Sequence, residues 1–135
     1  MQYNTNHDQR ETKNGIYQLL IYIPQKKSIK IGRKGTFEFP KGYYVYTGSA
    51  KNGLKSRIQR HLRKSKKKFW HIDYLLPYSK IKDVIIHIQK SECYWNNRLF
   101  KFKKPKILVN GFGSSDCKCK THLLYFRKKP ELNSL

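Results

Sequence analysis

The sequence predicts one small α/β (α+β) domain, with a central mixed or antiparallel sheet flanked by helices. Three observations predict it. Apolar and aromatic runs of strand length, at 15–23, 43–47 and 81–89, are bounded by Gly, Pro or polar residues. Two segments, 54–66 and 92–100, carry helical periodicity instead. The chain has 135 residues, enough for one modest core, and shows no internal repeat.

Taken in order, residues 1–14 are polar and rich in Asn and Gln, a loose leader. The domain is expected over 15–127, with a polar tail at 128–135. Gly15 to Ile23 is apolar almost throughout and ends at Pro24, as a well-buried strand does. Ser28 to Ile31 and Thr36 to Phe39 alternate polar and apolar residues around Gly32 and Gly35, the pattern of a hairpin. Tyr43 to Thr47 is the next strand. Leu54, Ile58 and Leu62 then recur every four residues, predicting an amphipathic helix over 54–66 that starts near Asn52. Phe69 to Leu76 predicts a short second helix stopped by Pro77. Val84, Ile86 and Ile88 share one face of a strand over 81–89. Ser91 is placed to cap a helix from Glu92 to about Phe100. Ile107 to Val109 and His122 to Phe126 predict short strands around a Gly/Ser/Cys loop.

Charge is the unusual quantity. Thirty Lys and Arg against eight Asp and Glu give a net charge of +22. A compact chain so charged repels itself, which a polyanionic partner relieves. Nucleic acid is the expected partner, with DNA favoured over RNA; an anionic membrane surface is the other class. No stretch approaches the roughly 18–20 apolar residues of a membrane span, and the first residues have no apolar core for a signal peptide. Three cysteines cannot all pair internally, so a reducing, cytoplasmic setting is expected. Self-repulsion mildly favours a monomer.

Arg57 and His61 lie four residues apart, on one side of the predicted helix and beside its apolar stripe. There Arg57 can grip a phosphate with its planar fork, and His61 can carry a proton near neutral pH. Either is equally readable as a helix-rim residue. Tyr17 and Tyr46 fall on different strands, where tyrosine also occurs simply for packing. Tyr44 has the same parity as Tyr46. Glu92 shares a helix side with Trp95 and Leu99, where a carboxylate should be paired or metal-bound. As a first-turn acid it also favours the helix dipole.

Gly15-Ile16-Tyr17, Tyr46-Thr47-Gly48, Arg57-x3-His61 and then Glu92 occur in an order that resembles the GIY-YIG nucleases. Longer stretches resemble one branch of that superfamily, the DUF123 domain, which occurs alone or fused to a DNA-repair enzyme. These stretches are 42–50, 57–61, 70–75, Glu92-Cys93 and 111–119, so the likeness runs from about Gly15 to Phe126. The resemblance implies a metal-dependent DNA endonuclease with Tyr17, Tyr46, Arg57, His61 and Glu92 as site residues and Mg²⁺ or Mn²⁺ on Glu92. A non-catalytic basic nucleic-acid-binding module of the same fold is the alternative, and a zinc-stabilised adaptor a third. Two departures stand out. The interval from Tyr17 to Tyr46 is long, consistent with an inserted hairpin that either repositions the tyrosines or adds a contact surface. The family's late asparagine has no secure counterpart among Asn96, Asn97 and Asn110.

Further residues carry chemistry of their own. Cys117, Cys119 and His122, with Cys93 brought near by folding, form an acceptable zinc set; reduced thiols packing a tight loop are the other reading. His71 and Asp73, in a Trp-His-Ile-Asp block, either orient substrate or brace the helix. Ser115 and Asp116, in the Gly/Ser/Cys loop, are candidates to substitute for the family's late asparagine. Arg60, Arg63, Lys64, Lys66, Lys67 and Lys68 form the expected nucleic-acid-binding run. Lys101, Lys103, Lys104 and Lys106 form a second cluster, expected near the same site. Phe69, Trp70, Phe100 and Phe102 are candidates for stacking on unpaired bases.

Overall fold

The computed structural model describes residues 15–50, 53–63, 66–114 and 119–132. The expected leader, Asn52, Lys64, Ser115, Asp116 and Cys117 lie outside the described residues. The elements are β1 (Gly15–Ile23), β2 (Lys27–Ile31), β3 (Gly35–Phe39), β4 (Gly42–Ala50), α1 (Leu54–Leu62), α2 (His71–Leu75), β5 (Lys80–His87), α3 (Glu92–Lys103) and β6 (Leu123–Phe126). The sheet order is β5-β1-β4-β6 and every pairing is antiparallel, while β2 and β3 form a separate hairpin.

β1 is apolar along its length because it is central and covered on both faces. On one face Tyr17, Leu19, Ile21 and Ile23 meet Leu54 and Ile58 of α1, Ile72 and Leu75 of α2, and Ile29, Ile31 and Phe39 of the hairpin. On the other, Leu20 joins Val45, Ile85, Leu124 and Phe126 beneath Leu99 of α3. Leu132, expected in a polar tail, is buried in this second cluster, so packing continues beyond residue 127.

The inserted hairpin does not displace the tyrosines. β1 and β4 pair without a register shift from Gly15↔Ala50 to Ile23↔Gly42, and the extra residues leave and return at that last pair. The hairpin packs instead on α2, where the Tyr74 ring closes over Gly32. Tyr44 is separated from Tyr46 by function of place: its hydroxyl donates to Pro40 O at 2.6 Å and its ring packs on Phe39 and Tyr125, away from the helix α1 side chains.

Several ends differ from the periodicity. α1 stops at Leu62, not Lys66, because Arg63 turns extended. The Lys66 ammonium then folds back to donate to the carbonyls of His61 and Arg63, closing the helix C-terminus as a cation does. Pro77 does not simply end the second helix but lies in a 3₁₀ turn over Leu76–Tyr78. Ile88 lies past the end of β5 and is exposed. The segment 107–109 forms no strand; next to it, Lys106 makes one bridge to Tyr125. Ser91 caps α3 as expected, accepting from Tyr94 N at 3.0 Å.

Opposite Tyr17 in β4 stands Gly48, and a methyl group there would lie 2.5 Å from the phenol oxygen and 2.6 Å from Cζ. Gly48→Ala is expected to cost about 1–3 kcal/mol in urea unfolding by overpacking. In a Tyr17→Ala background the cost should largely vanish, so equal costs in both backgrounds would refute this packing.

Candidate active site

Antiparallel pairing sets Tyr17 and Tyr46 on the same face as diagonal neighbours, with ring centroids 6.4 Å apart. α1 crosses that face and lowers His61 between them, and Tyr17 Oη lies 2.7 Å from His61 Nε2. The His61 ring is 5.3 Å from Tyr17 and 6.2 Å from Tyr46. Arg57, one turn earlier, donates from NH1 to Ser49 O at 2.9 Å and lies close enough to bond the Tyr17 hydroxyl.

These groups are held neutral. Burial pushes the Tyr17 phenol well up; Arg57 opposes the rise, while Glu92 and Asp73 add to it. Burial also raises Tyr46, with Tyr17 and Glu92 contributing. Burial lowers His61 from 6.5 to about 3, against the pull of Asp73 and with Lys66, Arg60 and Arg57 assisting. Its Nδ1 is buried without a hydrogen-bond partner among the described residues.

Asp73 braces the helix that carries His61. Its side chain is fully buried and takes two bonds of 2.9 Å from Arg60 NH1 and NH2. Phe69 N and Trp70 N donate to the same carboxylate at 2.8 and 2.9 Å. Although burial opposes ionisation, the Arg60 bonds and these backbone donors hold the Asp73 carboxyl below the usual carboxylate range. Arg60, expected to face nucleic acid, is therefore committed to α2. The guanidinium carbons of Arg57 and Arg60 each lie 4.3 Å from the Trp70 ring centroid, so that ring is occupied too. His71 Nδ1 accepts from Gly113 N at 2.9 Å and pins the loop after Val109. A side chain at Gly113, where φ is +67°, would strike the Tyr46 ring at 2.9 Å. Burial and the Lys34 ammonium both lower His71, and that ammonium, brought by the hairpin, also lies against Gly111.

Glu92 stands in the first turn of α3, the helix covering the opposite face. Its side chain is 27% exposed, its Oε2 is 3.6 Å from His122 Nδ1, and its charge is felt at both phenols. Cys93, Cys119 and His122 are brought together, with their ligand atoms all within 4.8 Å of one another. Burial lowers His122.

The first turn of α3 is fixed by residues the sequence reading missed. Trp95 stacks on His87 at 3.7 Å, His87 Nε2 meets Gln18 Oε1 at 2.9 Å, and Gln18 Nε2 donates to Thr47 Oγ1 at 3.1 Å. The available signal was Gln18, a polar residue inside an apolar strand. Asn96 is buried and donates to Thr121 O at 2.7 Å, a tie between α3 and the approach to β6.

A cleft of about 530 Å³ runs beside His61, lined in part by Arg63, Lys66, Lys68 and Lys80. Phe69 stands 78% exposed at a hollow shared with Arg63, Lys66 and Lys67. The second basic cluster is not next to the site. Lys103, Lys104 and Lys106 gather with Arg127, Lys128 and Pro40 at the other end of the sheet, about 17 Å along α3 from Glu92.

Asp73→Ala strands Arg60 and frees two backbone donors. It is expected to cost about 2–4 kcal/mol in thermal or urea unfolding, less than a fully buried pair because Arg60 keeps some solvent. Acid should also destabilise the fold. His61 and His87 have native pKa values near 3 and 4 against an ordinary 6.5. Between those values the unfolded chain binds more protons, so stability is whole above about 6.5 and lost as pH falls toward 4. His61 contributes at most about 1.4 kcal/mol per pH unit. Urea midpoints measured across that window should fall, and His61→Asn should flatten the slope.

No curated protein and no solved structure matches the chain. A family model does, over residues 16–135, nearly the whole of the fold just described. The chain belongs to the family described as Domain of unknown function DUF123.

Proposed function

We propose that this domain is a metal-dependent DNA endonuclease of the GIY-YIG kind, hydrolysing phosphodiester bonds. The observation that carries the reading is the 2.7 Å contact between Tyr17 Oη and His61 Nε2, with Arg57 at the same phenol. A phenol raised by burial is a poor base by itself. Coupled to an imidazole it need not ionise: Tyr17 takes a proton from the attacking water while passing its own to His61, whose basicity, lowered by burial, the negative charge of an arriving phosphate would raise. The water oxygen bonds to phosphorus, the bond to the leaving oxygen breaks, and that oxygen receives the proton back through solvent. Arg57 grips the phosphate and opposes the growing charge. Tyr46 orients the phosphate or the nucleophile.

Glu92 is the partly exposed carboxylate that would hold Mg²⁺ or Mn²⁺; a hard oxygen donor completed by water and phosphate oxygens suits either ion. Such an ion supplies Lewis acidity and lowers the pKa of water. The basic cleft beside His61 supports a nucleic-acid partner, since its cations can follow a phosphate backbone without reading sequence. Exposed Phe69 is placed to stack on an unpaired base.

One observation favours a second reading, a nucleic-acid-binding module without cleavage. Tyr17, His61 and Tyr46 are only 1%, 2% and 7% exposed, so a phosphate meets Arg57 and Glu92 first. A plasmid-nicking assay separates the two. Nuclease action predicts cutting that requires Mg²⁺ or Mn²⁺, is abolished by Glu92→Ala and falls about 10²–10⁴-fold in His61→Ala. Wild-type-level cutting by Glu92→Ala would exclude this mechanism. Salt-sensitive DNA binding that survives Glu92→Ala, with no cleavage under any divalent ion, would establish the binding module.

A further inference from the structure

Cys93 lies in the first turn of α3, Cys119 in the loop before β6, and His122 immediately before that strand. Cys93 Sγ is 3.7 Å from His122 Nε2 and 2.6 Å from Cys119 Sγ. The sulfur–sulfur distance exceeds the roughly 2.05 Å of a disulfide. The other nitrogen of the same imidazole, Nδ1, faces Glu92 Oε2 at 3.6 Å. His122 is thus set between a pair of thiols and a carboxylate.

We propose that Cys93 Sγ, Cys119 Sγ and His122 Nε2 bind a zinc ion, and that His122 Nδ1–H, directed at Glu92, makes the ion and that carboxylate one unit. Zinc takes thiolate and imidazole ligands at about 2.3 and 2.0–2.1 Å in a tetrahedron, which sets neighbouring donors roughly 3.3–3.8 Å apart. The Cys93–His122 distance already fits. The two sulfurs must part by about 1 Å, a motion open to Cys119 on its loop. Two thiolates and a neutral imidazole balance the charge of Zn²⁺, which matters in a chain already carrying +22.

The backbone that carries the imidazole is held before any ion arrives. His122 N donates to Phe112 O at 2.8 Å, His122 O accepts from Thr47 N at 3.0 Å, and Asn96 holds the preceding carbonyl. The carboxylate 3.6 Å from the far nitrogen is the kind of partner that metal-bound histidines generally have, and a small closing movement would let it fix tautomer and ring orientation. The consequence reaches the candidate active site. The residue that would carry the catalytic ion is also the outer partner of the zinc ligand. Zinc binding itself does not depend on the nuclease reading; only the importance of holding Glu92 still rests on it.

The test uses the full chain purified under reducing conditions. Elemental analysis is expected to give one zinc per chain, and cobalt exchanged into the site should show thiolate charge-transfer absorption. Cys93→Ser and Cys119→Ser, with Cys117 left intact, should each lose both signals. Glu92→Gln should fold normally and bind zinc about 10–100-fold more weakly in a chelator competition, because it removes the outer partner alone. Absence of zinc in wild-type protein, a disulfide between the two cysteines, or zinc retained in a Cys93→Ser/Cys119→Ser variant would overturn the site. Zinc affinity unchanged by Glu92→Gln would overturn the coupling. Wild-type protein that holds zinc but cuts no DNA with Mg²⁺ or Mn²⁺ would count against the nuclease reading alone.

Discussion

The continuous pairing of β1 with β4 is the constraint from which the site follows. It places Gly48 opposite Tyr17, and the missing side chain there gives the phenol room to lie across the strand. The ring then reaches His61 from beneath α1. Had the register slipped by one residue, Tyr17 and Tyr46 would have pointed to opposite faces of the sheet. Core packing and site geometry are therefore one arrangement: the same strands that bury Leu19 and Ile21 aim the two phenols.

A second level of order comes from how few acids the chain has. With eight carboxylates against thirty cations, each buried or half-buried acid carries more than its own charge. Asp73 collects Arg60 and two backbone amides, so the carboxylate ties α1 to the start of α2. That tie holds the helix bearing Arg57 and His61. Trp70, flanked by the guanidiniums of Arg57 and Arg60, adds an apolar contact to the same joint. The result is a cationic shoulder over the neutral, buried cluster of Tyr17, Tyr46 and His61.

Much of this was legible in the sequence, and the failures have physical reasons. Strands β1 to β4 and the Ser91 cap follow from alternation, glycine placement and a hydroxyl at the right offset. The four-residue spacing of Arg57 and His61 correctly put both on one side of α1, at the edge of its apolar stripe. The end of α1 was misread because lysine and arginine favour helices one by one, whereas a run of them repels itself and Lys66 folds back onto the last turn. The second basic cluster was misplaced because closeness in sequence to α3 does not say which end of the helix a residue joins. Gln18, Thr47 and His87 were missed because their alliance exists only once three strands are in register. For Tyr17 and Tyr46, residue order suggested a meeting that local periodicity alone could not supply, since two strands have to pair in register.

The hairpin of β2 and β3 leaves the sheet and returns to it at a single paired position, Ile23 and Gly42, at the end away from Gly48. Its length is thereby uncoupled from the alignment of the two tyrosines. Doubling such an excursion costs only about 0.6 kcal/mol in closure entropy. Descent with insertion or trimming can act on this arm while the chemistry beneath stays in step. What changes with it is the reach of Lys34 toward Gly111 and His71. The arm is thus a place where relatives can diversify their outer surface without rebuilding the domain.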